Sequence, residues 1–144
     1  MKKQRIKLGF SVLVIIILCA SLFAACQKIE RIEENQVEKI VVWSQYTEEH
    51  ELSADDSARF MELYNSSKHG GKGTGEGGTP EFGIYVYFQD GAYLGVNDFG
   101  CLGKDLEVAR YNTDGSPNAW YYINSEELYN FVSELAGKGK ESSN

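Results

Sequence analysis

One segment of the chain alternates between apolar and other residues with a period of two and ends in a turn signal. From Glu81 to Gln89 the sequence reads EFGIYVYFQ, and Asp90-Gly91 follows directly. A period of two is the spacing of a β-strand with one buried face, and Asp-Gly is a strong signal for a tight hairpin turn. The segment therefore predicts a strand and a hairpin, with Tyr85 and Tyr87 on the face opposite the aliphatic residues.

Two other patterns predict helices. Ser53 and Asp56 occupy the first and fourth positions of a capping box, which begins a helix that we expect to reach about Ser66. Near the other end, apolar residues recur at i, i+3, i+4, i+7 and i+8 from Leu128. This helical spacing, with a serine and two glutamates before it, predicts a second helix over about 125–137.

The order of the predicted elements indicates the fold class. A strand, a helix, three or four strands and a second helix follow one another, and helices at the two ends of an antiparallel meander are typical of α+β sandwiches. We therefore expect an antiparallel sheet of four or five strands, with helices at about 53–66 and 125–137 packed on one face. The predicted strands are 37–45, 81–89, 92–97, 106–111 and 119–123.

The N-terminus carries an export signal. Residues 1–7 contain basic residues and no acidic one, and the stretch from Leu8 to Cys26 is uncharged. A basic region, an apolar region and small residues before a cut site describe a secretory signal peptide. Residues 23–26, FAAC, resemble the lipobox of bacterial lipoproteins, in which the cysteine is lipidated and becomes the new N-terminus. The alternatives are plain secretion and an uncleaved anchor, because the 18 residues 8–25 just suffice to span a bilayer.

Removal of the predicted signal peptide, residues 1–25, leaves a strongly acidic chain. The segment holds four of the 14 Lys and Arg residues and none of the 21 Asp and Glu residues, so 10 basic and 21 acidic residues remain and the formal charge becomes −11. Such a charge disfavours binding to nucleic acid and to anionic lipid head groups. We therefore expect the lipid on Cys26 to be what holds the protein to the outer face of the cell membrane.

The rest of the chain divides into three parts. Residues 26–36 are polar and charged and indicate a tether. Residues 37–138 are predicted to form a single α+β domain, and residues 139–144 a disordered tail. Cys19 lies in the signal peptide and Cys26 is the predicted lipidation site, so Cys101 is left without a partner for an intrachain disulfide and is predicted to be an ordinary buried thiol.

These features together resemble the small uncharacterised lipoproteins that are common in Gram-positive bacteria. The resemblance rests on the lipobox-like segment, the charged tether, the β-α-β-β-β-β-α order, and the aromatic strand Trp120–Ile123 that leads into Ser125–Tyr129. It covers most of the chain and is one of architecture. It implies an extracytoplasmic, membrane-attached domain, and it brings no catalytic residues to this chain.

The segments that partly match catalytic or cofactor-binding motifs lack the spacing or the structural context that those motifs require. Residues 73–78, GTGEGG, have the spacing of a dinucleotide-binding fingerprint, but they follow a predicted helix and precede a strand, whereas the fingerprint places its glycines after a strand and at a helix N-terminus. We expect a mobile linker there instead. His50 and His69 lie in predicted loops and outside motifs such as H-E-x-x-H. We therefore predict no catalytic residue, no cofactor and no metal.

Aromatic residues give the main indication of function. Tyr85, Tyr87, Trp120 and Tyr121 are candidates for a patch on an uncovered sheet face that binds a protein, a peptide or a glycan, although long side chains also cover sheets without any such role. The leading hypothesis is a non-enzymatic binding or interaction module. The alternatives are a small extracytoplasmic hydrolase or metal-dependent enzyme around His50, and an inhibitor or immunity protein. The wider aromatic set is Trp43, Tyr85, Tyr87, Tyr93, Trp120, Tyr121 and Tyr122.

Overall fold

The computed structural model of the chain describes residues 29–73, 78–98 and 103–138. The predicted signal peptide, the predicted lipidation site Cys26, Cys101 and the tail 139–144 lie outside these residues. Within them, no helix is long and apolar enough to cross a membrane. In chain order the elements are a 3-10 helix Glu34–Gln36, β1 Val37–Ser44, β2 Thr47–Glu51, α1 Ala54–Ser66, β3 Lys68–Lys72, β4 Phe82–Phe88, β5 Tyr93–Asp98, β6 Asp105–Tyr111, β7 Pro117–Asn124 and α2 Glu126–Lys138.

The described strands form one antiparallel sheet of seven strands in the order β2-β1-β4-β5-β6-β7-β3. The α+β class is confirmed, but the sheet has more strands than the four or five predicted. The two extra strands are β2 and β3, which lie at the two edges of the sheet. Their sequences, TEEHE and KHGGK, do not alternate between apolar and polar residues. Edge strands often carry charged residues, so these two segments lack the pattern from which a strand is predicted.

The core lies between one face of the sheet and both helices. Alternate residues of the strands point into it, and the stripe predicted on α2 packs against them, since Leu128, Val132, Leu135 and Ala136 are all buried. Each fully buried aliphatic side chain contributes about 1.5–3 kcal/mol relative to an exposed one. The largest fully buried side chains are Tyr64, Phe60, Ile40, Ile84, Leu94, Leu106, Ile123, Leu128, Val42, Val86, Val96 and Val108.

Helix α1 begins where the capping box predicts. The backbone N–H of Asp56 donates to the hydroxyl of Ser53 at 3.1 Å, and that hydroxyl donates to the Asp56 carboxylate at 2.9 Å. Such a cap contributes about 1 kcal/mol. The helix ends near Ser66, as expected, and leads directly into edge strand β3.

Residues 29–36, which the sequence analysis assigns to the tether, pack on the domain. Ile32 is only 4% exposed and belongs to the core. Its backbone N–H donates to Asn65 Oδ1 at 2.9 Å, and Asn65 Nδ2 donates back to the Ile32 carbonyl at 2.9 Å. Glu30 also forms an ion pair with Arg110 at 2.8 Å. Within the described residues, packing on the core extends to Ile29, three positions after Cys26 in sequence.

Candidate functional site

The sheet face opposite the helices is here called the open face, because no described helix lies on it. Strand register arranges its residues in three rows that run across the strands. The first row contains Trp43, Gly83, Asn97, Glu107 and Tyr122. The second contains Glu51, Val41, Tyr85, Gly95, Ala109 and Trp120. The third contains Lys39, Tyr87, Tyr93 and Tyr111.

Glycines in the sheet allow the large rings to lie across the strands. A Cβ on Gly83 would be 2.8 Å from Trp43 Nε1 and 2.3 Å from Asn97 Oδ1. The Trp43 indole N–H donates to that same oxygen at 3.2 Å. A Cβ on Gly95 would approach the ring of Tyr85 to 3.3 Å. Glycine in a strand often marks a place where another group approaches closely, and here that group is an aromatic ring.

The rings on the open face contact one another in a continuous series. The rings of Trp43 and Tyr85 are stacked, with their centroids 5.9 Å apart. The rings of Tyr85 and Tyr93 pack edge to face, with their centroids 6.1 Å apart. Tyr93 stacks on Tyr111 at 4.5 Å with their planes only 10° apart, and Tyr87 lies 5.9 Å from Tyr93. Offset-stacked and edge-to-face pairs of this kind each contribute about 0.5–1.5 kcal/mol beyond buried area. The series holds the rings as a preformed surface that reaches over β1, β4, β5 and β6.

Carboxylates border this aromatic surface. In the pairing of β1 with β2, Val42 lies opposite His50 and Ser44 opposite Thr47, so both Glu48 and Glu49 lie opposite Trp43. This arrangement is a β-bulge, which inserts an extra residue and re-aims side chains. Glu51 pairs with Val41 in the second row. The bulge therefore concentrates acidic residues beside the tryptophan end of the open face.

One cation already lies against the rings. Lys39 Nζ is 5.0 Å from the centroid of Tyr87, which is the distance of a cation–π contact. Both residues belong to the third row of the open face. The ring of Tyr87 is thus oriented so that an ammonium group can approach its face.

Burial and neighbouring negative charge shape the ionisation of the tyrosines. Burial, followed by the neighbouring phenols and Glu49, raises the pKa of Tyr85. Burial and then Glu49 raise the pKa of Tyr87. For Tyr111 the causes of the raised pKa are burial, then Tyr93, then Glu107. Glu49 and Glu107 therefore act electrostatically on the aromatic surface.

Of the four residues predicted for the patch, three share one face of the sheet. Tyr85, Tyr87 and Trp120 lie on the open face, but Tyr121 does not, because neighbouring residues of a strand point to opposite faces. Tyr121 is buried among the core residues, and its hydroxyl forms a 2.5 Å hydrogen bond with that of Tyr64. The candidate patch therefore excludes Tyr121.

Tyr111 belongs to the patch and was missed by the sequence analysis. It pairs with Tyr93 across β5 and β6. The alternation of β6 contained the signal, since Glu107, Ala109 and Tyr111 share one face while Leu106 and Val108 are buried on the other. The pairing with Tyr93 depends on strand register, which the alternation alone does not give.

Trp120 carries an indole N–H that is buried and has no hydrogen-bond partner among the described residues. A buried donor without a partner costs about 1–3 kcal/mol. Gly73 packs beside it, with its backbone N–H donating to the Trp120 carbonyl at 3.0 Å. Gly73 is the last described residue before the gap at 74–77.

The sequence predicts loops around both histidines, but the structure places both on edge strands. His50 is exposed on edge strand β2. His69 is half-buried on β3, where its ring stacks 5.1 Å from that of Tyr121 and its Nδ1 accepts from the Gly71 N–H at 3.1 Å. No group of three or more His, Cys, Asp or Glu residues in the described ranges is arranged to hold a metal ion.

Comparison with known proteins gives no relative for this chain. No protein-family model, no curated protein and no solved structure matches it. The class of the molecule is therefore defined by its own structure, as an α+β domain with an antiparallel sheet that has helices on one face and aromatic rings on the other.

Proposed function

We propose that the protein is a membrane-anchored extracytoplasmic lipoprotein whose domain is a non-enzymatic binding module, with the open face as its binding surface. The observation that carries the proposal is the series of contacting rings from Trp43 to Tyr111 on a sheet face that no described helix covers. Tyr and Trp are enriched in binding surfaces because they supply a large contact area with few rotatable bonds.

The anchoring part of the proposal rests on the signal peptide and the lipobox-like residues before Cys26. Cys26→Ala removes the atom that would carry the lipid, so we expect the variant to leave the membrane fraction and to lose the mass of the lipid. Cys101→Ala is the matched control, because it removes a thiol outside the predicted lipobox. Retention of Cys26→Ala in the membrane without any change in mass would favour an uncleaved anchor instead.

The binding part of the proposal is tested by capture from an envelope extract with the chain from Gln27 to Asn144. Tyr87→Ala and Tyr93→Ala each remove a ring from the centre of the open face, so we expect the captured ligand to be lost or reduced. Tyr46→Ala is the control, because Tyr46 is 63% exposed and lies outside the three rows. If all three variants capture what the wild-type chain captures, the open face is not the binding surface.

The enzyme alternative centres on His50 and the neighbouring acids. Its test is His50→Ala, which would abolish an activity or the retention of a metal ion if the alternative is right. The inhibitor or immunity alternative is a special case of binding through a wide flat surface, and it predicts that the captured ligand is a single protein held with nanomolar affinity or tighter.

A further inference from the structure

We infer that the ligand of the open face is a cationic peptide segment, whose lysine or arginine side chains lie against the rings while the bordering carboxylates neutralise their charge. This inference rests on the proposed binding function of the open face and specifies the chemistry of the ligand. It is carried by the charges around the rings, by the orientation of Tyr87 and by the dimensions of the aromatic surface.

The charges around the aromatic rings favour a cationic ligand. Three acidic residues lie close together at the Trp43 end of the open face, where the bulge places Glu48 and Glu49 opposite the indole and Glu51 follows in the next pair. Glu107 lies in the first row beside Asn97. Lys39 is the one basic residue in the three rows. A surface with this excess of carboxylates attracts cations and repels anions.

The aromatic rings of the open face also favour a cationic ligand. The face of an aromatic ring is the negative part of its quadrupole, so it attracts ammonium and guanidinium groups. Lys39 demonstrates the geometry, since its ammonium nitrogen is 5.0 Å from the centroid of Tyr87. Tyr85 is the neighbouring ring in the same series and is half-buried, so its exposed part offers a ligand cation the same type of surface, and Glu49 acts electrostatically on both rings.

The length of the aromatic surface matches a short extended peptide. The connected rings lie over four neighbouring strands, β1, β4, β5 and β6. With strands about 4.8 Å apart, the rings extend over about 14 Å. An extended peptide rises about 3.3 Å per residue, so about four or five residues cover this length. Alternate side chains of such a peptide point the same way, which brings two or three cationic groups to the rings.

The experiment uses the chain from Gln27 to Asn144 and an acetylated, amidated hexalysine peptide as the probe. Binding is followed by calorimetry and by tryptophan fluorescence, because Trp43 and Trp120 both belong to the open face. Hexaserine with the same end groups is the matched uncharged peptide, and a neutral hexasaccharide of N-acetylglucosamine is the competing class of ligand. We expect hexalysine to bind, the other two not to bind, and the affinity to fall as salt is added.

Two pairs of variants separate a specific site from attraction to an acidic protein in general. Glu49→Gln/Glu51→Gln is expected to weaken hexalysine binding about fivefold. Glu62→Gln/Glu127→Gln removes the same charge from the helix side and is expected to leave binding unchanged. Tyr87→Ala changes no charge and is expected to weaken binding about threefold, whereas Tyr46→Ala has no effect. Lys39→Gln removes a competing cation and is expected to tighten binding.

The outcomes distinguish this inference from the proposed function. Equal loss of hexalysine affinity in both glutamate pairs would overturn the inference, because the attraction would then be general. Salt-independent binding of the neutral hexasaccharide, lost in Tyr87→Ala, would also overturn it but would leave the open face as a binding surface. If no probe binds and the Tyr87→Ala and Tyr93→Ala chains capture the same material as wild type, the inference and the proposed function both fail.

Discussion

At the scale of single residues, Gly73 is a glycine because the backbone of β7 occupies the space that a side chain would need. A Cβ at this position would lie 2.9 Å from the Tyr121 nitrogen and 3.0 Å from Trp120 Cβ. Gly73 is also buried and donates its N–H to the Trp120 carbonyl. The glycine-rich sequence of residues 73–78 predicts a mobile linker, but the first of these residues is packed against the sheet.

Gly73→Ala is therefore expected to destabilise the protein by about 1–3 kcal/mol, the usual cost of overpacking a tight contact. Gly78→Ala is the control, because a Cβ on Gly78 meets no atom within 4 Å. We expect the control to be neutral or to stabilise by up to about 1 kcal/mol through the unfolded chain. Urea unfolding followed by tryptophan fluorescence measures both. Equal stability of the two variants would mean that Gly73 is not packed as described.

Ser53 and Gly73 show that the sequence predicts contacts between near neighbours in the chain but not contacts between distant segments. The cap at Ser53 was predictable because its partner, Asp56, lies in the next turn of the chain. The partner of Gly73 is β7, which is distant in sequence, so no local pattern indicates the contact. The tyrosines of the open face differ in the same way. Alternation along one strand assigns Tyr85 and Tyr87 to one face, whereas the contact of Tyr111 with Tyr93 depends on the register between two strands.

At the scale of elements, the segment before β1 shows how two hydrogen bonds and one apolar residue attach a charged stretch to a core. Ile32 fills a position in the core, and Asn65 at the end of α1 holds both its backbone groups. The composition of residues 29–36 indicates a tether, because most of its side chains are charged or amides. The attachment depends on backbone groups and on Asn65, which lies 33 residues away.

Asn65→Ala removes both hydrogen bonds to Ile32. We expect a loss of about 1–3 kcal/mol in the free energy of unfolding, because the partly buried N–H and C=O groups of Ile32 lose these partners. Faster hydrogen exchange is expected in residues 29–36. Arg31→Ala is the control, since Arg31 is exposed in the same segment and its loss leaves the two bonds in place. Hydrogen exchange as slow in Asn65→Ala as in wild type would contradict the attachment.

The elements that sequence predicted best are those that are regular and half-buried. Strands β4 to β7 and both helices have one apolar face, and their positions agree with the prediction to within about two residues. Edge strands β2 and β3 were missed because their side chains need no such pattern. Their places are set by pairing with Val41 and Val42 on one side and with Tyr122 and Ile123 on the other.

At the scale of the whole molecule, the sheet separates two kinds of tyrosine. Tyr64 and Tyr121 lie on the helix side, where their hydroxyls bond to each other in the core. Tyr85, Tyr87 and Tyr111 lie on the open face. In both places the pKa is raised, and burial is the first cause in every case. The tyrosines on both sides therefore make the free energy of unfolding depend on pH in the alkaline range.

A group whose pKa is higher in the folded chain than in the unfolded chain keeps its proton in the folded chain at pH values where the unfolded chain has lost it. Below pH about 10, the ordinary tyrosine pKa, both states keep the proton and the stability contribution is complete. Above that pH the unfolded state binds fewer protons, so the free energy of unfolding falls as the pH rises. Tyr64, whose pKa is raised by burial and then by Tyr121, is expected to account for a large part of this fall.

Tyr64→Phe is the test of this dependence. Removal of the hydroxyl costs about 1 kcal/mol at pH 8, below the ordinary tyrosine pKa of about 10, because the hydrogen bond between Tyr64 and Tyr121 is lost. Between pH 10 and 11, however, wild type is expected to lose up to about 1.4 kcal/mol more than the variant, because one buried phenol no longer titrates on unfolding. Tyr46→Phe, at a 63% exposed position outside the core, is the matched control for the loss of a hydroxyl. Urea unfolding at pH 8, 10 and 11 measures the three slopes, and a Tyr64→Phe slope as steep as that of wild type would show that the Tyr64–Tyr121 pair does not couple folding to pH.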